Sequence, residues 1–248
     1  MATFRTLLGV TPAVLLVVLL GVLVRVRAYR EFSWFFVYVS YAVCADTARF
    51  ATRNHQSVYF YTYWGTDAGY AVLGIFVLYE VFNAVFRNLT RLWYVRLLFP
   101  AMLAFAVVLA FLRYGLFPSH IPGSLLTAIV VGELAVRLLE VSIFCLLVAL
   151  VFLFGLHWRQ YAFGIAAGFG VYATTALAAT TKFYDSGTRF IFVWGTALLL
   201  SYIVAVLIWI WFFAQSRKHI SVGQDGSEVM NAETVRHYKE VAQRILWR

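Results

Sequence analysis

Seven long runs of apolar residues, separated by short polar segments, dominate the hydrophobic pattern of the chain. About 20 apolar residues of helix cross the hydrocarbon of a bilayer, and a lipid-exposed backbone must satisfy its hydrogen bonds internally. Each run therefore predicts a transmembrane helix, over residues 7–24, 32–51, 57–86, 97–113, 125–156, 161–181 and 190–214. The pattern predicts an all-α, polytopic membrane protein whose residues 1–216 form a seven-transmembrane-helix bundle.

The composition strengthens this prediction and excludes a sizeable water-soluble domain. Of the 248 residues, 63% are hydrophobic and only 12% are charged, and the mean hydropathy is +0.82. Four of the 11 acidic residues lie in the tail at 217–248. The predicted bundle therefore carries few carboxylates, and each of them is costly within the membrane unless it is paired or hydrated.

The distribution of Lys and Arg predicts the orientation. Thirteen of the 20 basic residues fall on one side of the membrane, in alternate loops and in the tail. The positive-inside rule then places the N-terminus outside and the tail at 217–248 in the cytoplasm. Because the basic residues are spread over several loops, the net charge of +9 does not indicate a nucleic-acid partner.

The basic tail has a helical pattern of its own. From 231 to 247, apolar residues recur at helical spacing between basic ones, namely Val235, Tyr238, Ala242 and Ile245. This pattern predicts an amphipathic helix that lies on anionic lipids of the inner leaflet. A solvated terminal helix is the alternative, because Glu233 and Glu240 dilute the positive charge.

Charged side chains inside the predicted spans are the candidate functional residues, because each is costly there unless paired or hydrated. They are Asp46, Arg49, Asp67, Glu80, Glu133, Arg137 and Glu140. The last three form E-x-x-x-R-x-x-E, whose spacing puts them on one helical face. One interpretation is that this face is a structural ion-pair ladder. The other is that it has a function, as a ligand clamp or as a proton relay.

The depths of these residues predict an outward-facing polar pocket. Asp46, Asp67 and Glu133 each lie within about ten residues of the outer end of a span, on the order of 15 Å or less. Glu80 and Glu140 are deeper, and Glu80 is close in sequence to Arg87. We expect the pocket between helices two, three, five and six, with Glu80, Arg87 and the charged face of the fifth helix coupling it to the inner loops.

Several classes of membrane protein are disfavoured by missing residues. The seventh span has no lysine to hold retinal, and the histidines lie outside the spans, where they cannot ligate haem from two sides. Gly132 stands where an E-E-x-x-x-R intramembrane protease motif has its first Glu. We therefore expect no cofactor, no metal and no catalytic residue. Gly164 and Gly168 have the small-xxx-small spacing of closely packed helices.

Three stretches carry a resemblance: S-W-F-F-V-Y from Ser33 with Y-F-Y-T-Y-W from Tyr59, L-G-I-F-V-L-Y-E-V-F from Leu73, and E-L-A-V-R-L-L-E followed by W-R-Q-Y-A-F-G-I-A-A-G-F-G. Together they resemble an uncharacterised set of short bacterial seven-helix integral membrane proteins. The resemblance covers helices two through six and implies the seven-helix architecture and a bacterial cytoplasmic (inner) membrane. It implies no activity and no catalytic residues.

The expected function is that of a small sensor or receptor-like module. The outward polar pocket would bind a ligand, and a membrane or cytoplasmic protein partner would carry the output. A secondary transporter or proton-coupled carrier that uses the same carboxylates is one alternative. A structural subunit of a larger membrane complex is the other.

Overall fold

The computed structural model describes residues 2–86, 93–116, 124–154, 161–186 and 191–215, with side chains described within 11–85, 97–112, 131–149, 161–179 and 193–215. These residues form seven α-helices and one short 3₁₀ turn, Ala28–Arg30. The helices are α1 (Ala2–Val26), α2 (Ser33–Thr52), α3 (Gln56–Phe86), α4 (Trp93–Leu116), α5 (Ser124–Phe154), α6 (Tyr161–Ser186) and α7 (Ile191–Gln215). The predicted all-α fold is confirmed, and each predicted span coincides with a helix.

Three of the helices are long and apolar enough to cross a membrane. They are the stretches Gln56–Val85 in α3, Tyr161–Ala179 in α6 and Val193–Gln215 in α7. Shorter apolar stretches, Thr11–Val26 and Leu97–Leu112, lie in α1 and α4. Their length and hydropathy identify the protein as a membrane protein.

Helices α2, α3, α5 and α6 form the centre of the bundle. Helix α3 contacts α2, α5 and α6, while α5 also contacts α4 and α6, and α1 packs on α2. These helices belong to one unit, Met1–Ala214. A second unit covers Gln215–Arg248, and the structure describes only its first residue, so the amphipathic helix predicted at 231–247 lies outside the described residues.

Helix α7 packs against α6 and α2 through large aromatic side chains. The Trp209 indole lies over Gly168 and donates a hydrogen bond from Nε1 to the carbonyl oxygen of Ile165, at 3.1 Å. The Phe212 ring lies over Gly164, so a Cβ at either glycine would overlap a ring. The small-xxx-small pair therefore receives aromatic side chains from α7, whereas the sequence predicted only a close approach of helices.

A cluster of buried rings connects α2, α6 and α7. Phe35 stacks on Phe213 with ring centroids 5.6 Å apart and meets Trp209 edge-on at 5.2 Å. Phe169 packs against both Phe35 and Trp209. We call these four residues, Phe35, Phe169, Trp209 and Phe213, the aromatic layer. All four are buried.

Candidate functional site

The charged residues predicted for the pocket come together across three helices. Arg49 lies on α2, Asp67 on α3, and Glu133, Arg137 and Glu140 lie on α5. We call these five side chains the charge network. It has two halves, one between α2 and α3 and the other along α5, and each half contains one arginine.

Arg49 fixes the α2–α3 half. Its Nε donates to Thr66 Oγ1 at 2.7 Å, and its Nη2 lies 3.3 Å from the Tyr63 carbonyl oxygen and 3.5 Å from Asp67 Oδ1. The guanidinium also lies over the Tyr63 ring, 4.6 Å from its centroid. Arg49 is therefore held by several groups of α3, and its ion pair with Asp67 is the longest of these polar contacts.

Arg137 organises the α5 half. Its Nη1 donates to both oxygens of Glu140, at 3.1 and 3.0 Å, and its Nη2 lies 3.6 Å from Glu133 Oε1. The single charged face that the E-x-x-x-R-x-x-E spacing predicts is therefore present. Gly74 of α3 leaves room for it, because a Cβ there would lie 3.2 Å from Val136 Cγ1 and 3.9 Å from Glu140 Oε1.

The two halves are connected by the packing of α3 on α5. At this contact Gly74 of α3 faces Val136 and Glu140 of α5. Asp67 precedes Gly74 by seven residues on α3, and Glu133 precedes Glu140 by seven residues on α5.

Tyrosines surround the network, and they were not among the site residues predicted from the sequence. The Arg137 guanidinium lies over the Tyr172 ring at 4.6 Å, and Tyr172 contacts Tyr202 of α7 with ring centroids 5.7 Å apart. Tyr63 and Tyr70 flank Arg49. The sequence of α3 contained an indication of two of these tyrosines. Tyr63, Asp67 and Tyr70 recur at i, i+4 and i+7 and therefore share one helical face.

Two other predicted site residues that the structure describes, Asp46 and Glu80, are not part of the network. Asp46 is one turn from Arg49 on α2 and interacts with it electrostatically, but it forms no ion pair within the described side chains. Arg87 lies outside the described residues, so its predicted proximity to Glu80 remains a prediction.

Glu80 instead holds the start of α2. Its Oε1 accepts hydrogen bonds from Ser33 Oγ at 3.2 Å and from the Trp34 N–H at 3.1 Å, and its Oε2 accepts from the Phe35 N–H at 3.1 Å. A helix N-terminus has unsatisfied N–H groups and partial positive charge, and a carboxylate satisfies both. Here a residue of α3, 45 to 47 positions away in sequence, supplies the cap.

Removing this cap tests its contribution to stability. We expect Glu80→Gln to lower the free energy of unfolding by about 1–2 kcal/mol, because the charge and one acceptor are lost at the start of α2. The measurement is a denaturant titration of the purified protein in micelles. Ser33→Ala, which removes one neutral donor and leaves both backbone contacts to Glu80, is the matched control with a smaller expected loss. Equal losses in the two variants would contradict the capping role.

Exposure falls steadily from one end of the network to the other. Side-chain exposure is 37% at Glu133, 12% at Arg137 and 1% at Glu140. The next residues along the two helices include buried apolar side chains, Ile143 after Glu140 on α5 and Leu78 after Gly74 on α3. Glu80 follows Gly74, the neighbour of Glu140, by six residues, or about 9 Å along α3. Apolar packing therefore separates the network from the Glu80 cap.

The described residues offer no metal site. No three His, Cys, Asp or Glu side chains come together there in a way that could hold an ion. Cys44 and Cys145 are free thiols on exposed positions of α2 and α5. The side chains that the structure brings together at the site are paired charges and tyrosines.

Comparison with known proteins adds no relative: no family model matches the chain, and neither the curated proteins nor the solved structures give a match.

Proposed function

We propose that the protein is a seven-helix, multi-pass sensor or receptor-like module of a bacterial cytoplasmic membrane. The N-terminus lies outside, and the tail lies in the cytoplasm, where it meets anionic inner-leaflet lipids. The charge network is the ligand-responsive site, and a membrane or cytoplasmic protein partner receives the output. The three long apolar helices and the excess of basic residues on one side support this topology.

The observation that carries the proposal is the one-sided form of the charge network. Its side chains are partly exposed at Glu133 and Asp67, and the network ends at the fully buried Glu140 beneath apolar packing. A polar site that opens toward one end of a bundle and is closed toward the other suits binding and response. The Arg137 guanidinium contacts the Tyr172 ring of α6, and Tyr172 contacts Tyr202 of α7. A change in the charge network can therefore reach α6 and α7 through these contacts.

The test compares protein partners of the wild type and of neutralised variants. The tagged protein is purified from its native membrane in mild detergent, and accompanying proteins are quantified by mass spectrometry. A sensor predicts a stoichiometric partner whose amount changes at least several-fold in Asp67→Asn and Glu133→Gln but not in Asp46→Asn. A partner retained equally by all variants would instead identify a structural subunit.

A proton-coupled carrier is the second candidate, and the partly exposed carboxylates of Asp67 and Glu133, which lie 3.5 and 3.6 Å from Arg49 and Arg137, favour it. Carboxyl groups within a membrane that can exchange a proton are typical of proton relays. The purified protein in lipid vesicles that enclose a pH-sensitive dye separates the two functions. The sensor predicts no proton flux above that of empty vesicles under an imposed membrane potential, and the carrier predicts flux that Glu133→Gln abolishes.

A further inference from the structure

We infer that the junction of α1 and α2 is a binding site for the phosphate headgroup of an anionic lipid. The site consists of the exposed side chains of Arg27, Tyr29, Arg30 and Trp34, which we call the junction patch. The inference goes beyond the sensor function, and it rests on the proposed topology only to place this end of the bundle in the cytoplasm.

The backbone of the junction has a defined, hydrogen-bonded course. After α1, Arg27 has the left-handed φ and ψ of 59° and 29°, and the 3₁₀ turn Ala28–Arg30 leads toward α2. The N–H groups of Glu31 and Phe32 both donate to the Ala28 carbonyl oxygen, at 3.1 and 2.8 Å. The connection between the two helices is therefore a closed turn, which fixes the positions of the side chains on it.

Two buried side chains of the turn leave its polar side chains on the outside. Ala28 is 5% exposed and Phe32 is 2% exposed, and both belong to the hydrophobic core. The Phe32 ring also meets a ring of α6 edge-on, with centroids 6.2 Å apart. Arg27, Tyr29 and Arg30, which lie between these two anchors or next to them, are exposed. The core therefore holds the junction patch in place on the surface of the bundle.

The positive charge of the junction patch is not neutralised by the described side chains. The ion pairs that these side chains form include neither Arg27 nor Arg30, and the exposed Glu31 beside them forms none. The carboxylate of Glu80, at the same end of α2, accepts hydrogen bonds from the start of that helix instead. Together with Arg25 of α1, the junction carries three arginines and one glutamate, an excess of two positive charges.

The conformation of Arg27 indicates that its side chain serves a ligand outside the chain. It is the one non-glycine residue with a positive φ in the part of the chain that the structure describes. Glycine adopts this conformation readily, whereas a residue with a Cβ is strained there. An arginine thus occupies a position where the turn alone favours glycine, and its guanidinium has no ion-pair partner among the described side chains.

The two aromatic side chains of the patch identify the ligand as a lipid and not a free anion. Trp34 is 40% exposed and stacks on Phe76 with ring centroids 4.5 Å apart, and Tyr29 is 37% exposed and packs against Phe36. Amphipathic rings of this kind lie at the headgroup level of a bilayer, where arginines attract anionic phosphates. Helix α2 has 20 residues and is about 30 Å long, which matches the hydrocarbon thickness and puts Arg53 at the opposite headgroup region.

Quenching of tryptophan fluorescence by brominated lipids tests the site. The full-length protein is reconstituted in phosphatidylcholine vesicles with equal fractions of either brominated phosphatidylglycerol or brominated phosphatidylcholine. The contribution of Trp34 is the quenching that Trp34→Phe removes in each background. We expect this contribution to be several-fold larger for the anionic lipid, and to fall by about two-fold or more in Arg27→Gly and in Arg30→Gln.

The choice of variants separates lipid binding from folding. Arg27→Gly should keep the fold, because glycine favours the backbone conformation at this position. Arg53→Gln is the matched control, since it removes an exposed arginine from the other end of α2 and should leave the Trp34 contribution unchanged.

Equal quenching by the two lipids, or a preference that Arg27→Gly and Arg30→Gln leave unchanged, would overturn the lipid site. Phosphate and chloride buffers of equal ionic strength should give the same preference, and a loss in phosphate alone would replace the lipid by free phosphate. The vesicles hold anionic lipid in both leaflets, so the result depends neither on orientation nor on a protein partner. A preference that persists in a protein whose N-terminus proves to be cytoplasmic would overturn the proposed topology while the lipid site stands.

Discussion

Replacing Arg137 with methionine is expected to destabilise the folded protein by about 3–5 kcal/mol, because it leaves a buried carboxylate without its partner. Glu140 has 1% of its side chain exposed, and both of its oxygens accept hydrogen bonds from Arg137. Water cannot reach this carboxylate to replace the lost hydrogen bonds. Leu139, Ile143 and Val77 of the same two helices are apolar and buried. A denaturant titration in mixed micelles measures the loss.

A double variant tells whether the loss comes from the unpaired charge or from packing. Arg137→Met combined with Glu140→Leu removes both charges and keeps apolar volume, so we expect it to recover most of the stability. Arg49→Met is the control in the more exposed half of the network, where the side chain is 21% exposed and the expected loss is smaller. A double variant less stable than the single variant would contradict this expectation. It would show that the pair stabilises the protein through side-chain packing and not through charge.

The helices could be predicted from sequence because each corresponds to a long apolar run bounded by polar segments. Each predicted span coincides with a helix, and the differences lie at the ends. Helix α6 continues to Ser186, past the predicted end at 181, and α4 begins at Trp93, before the predicted start at 97. Helical hydrogen bonds continue beyond the hydrocarbon into more polar surroundings, so hydropathy alone does not mark the last turn.

The site could be predicted only as far as its contacts are local. Glu133, Arg137 and Glu140 share a face because of helical spacing, and the structure pairs them as expected. The ion pair between Arg49 and Asp67 joins α2 to α3, and the approach of Gly74 to Glu140 joins α3 to α5, so both depend on how these helices pack. Sequence spacing contains no register between helices, so it could nominate these residues but could not connect them.

Glu80 shows the same limit. Its nearest basic residue in sequence is Arg87, which follows the predicted span, so the sequence grouped the two as coupling candidates. The structure instead uses the carboxylate to cap α2, and the packing of two antiparallel helices creates that contact. The Glu80 cap and Asp67 lie 13 residues apart on α3, or about 20 Å.

Trp209→Ala is expected to cost about 3–5 kcal/mol of folding free energy and to loosen α7 from the bundle. Trp209 is 2% exposed, its indole N–H bonds to Ile165, and its ring lies against Gly168, Phe35 and Phe169. Lipid solvates apolar side chains well, so helices in a membrane associate largely through close packing and hydrogen bonds. The truncation removes both at the contact between α7 and α6.

The same helix supplies the control. Trp211 is two residues further along and is 55% exposed, so Trp211→Ala removes the same atoms from a surface position and should change stability by about 0.5 kcal/mol or less. Trp209→Phe keeps a ring and loses the hydrogen bond, for an intermediate cost of about 1 kcal/mol. Equal effects of Trp209→Ala and Trp211→Ala would show that the aromatic layer does not hold α7.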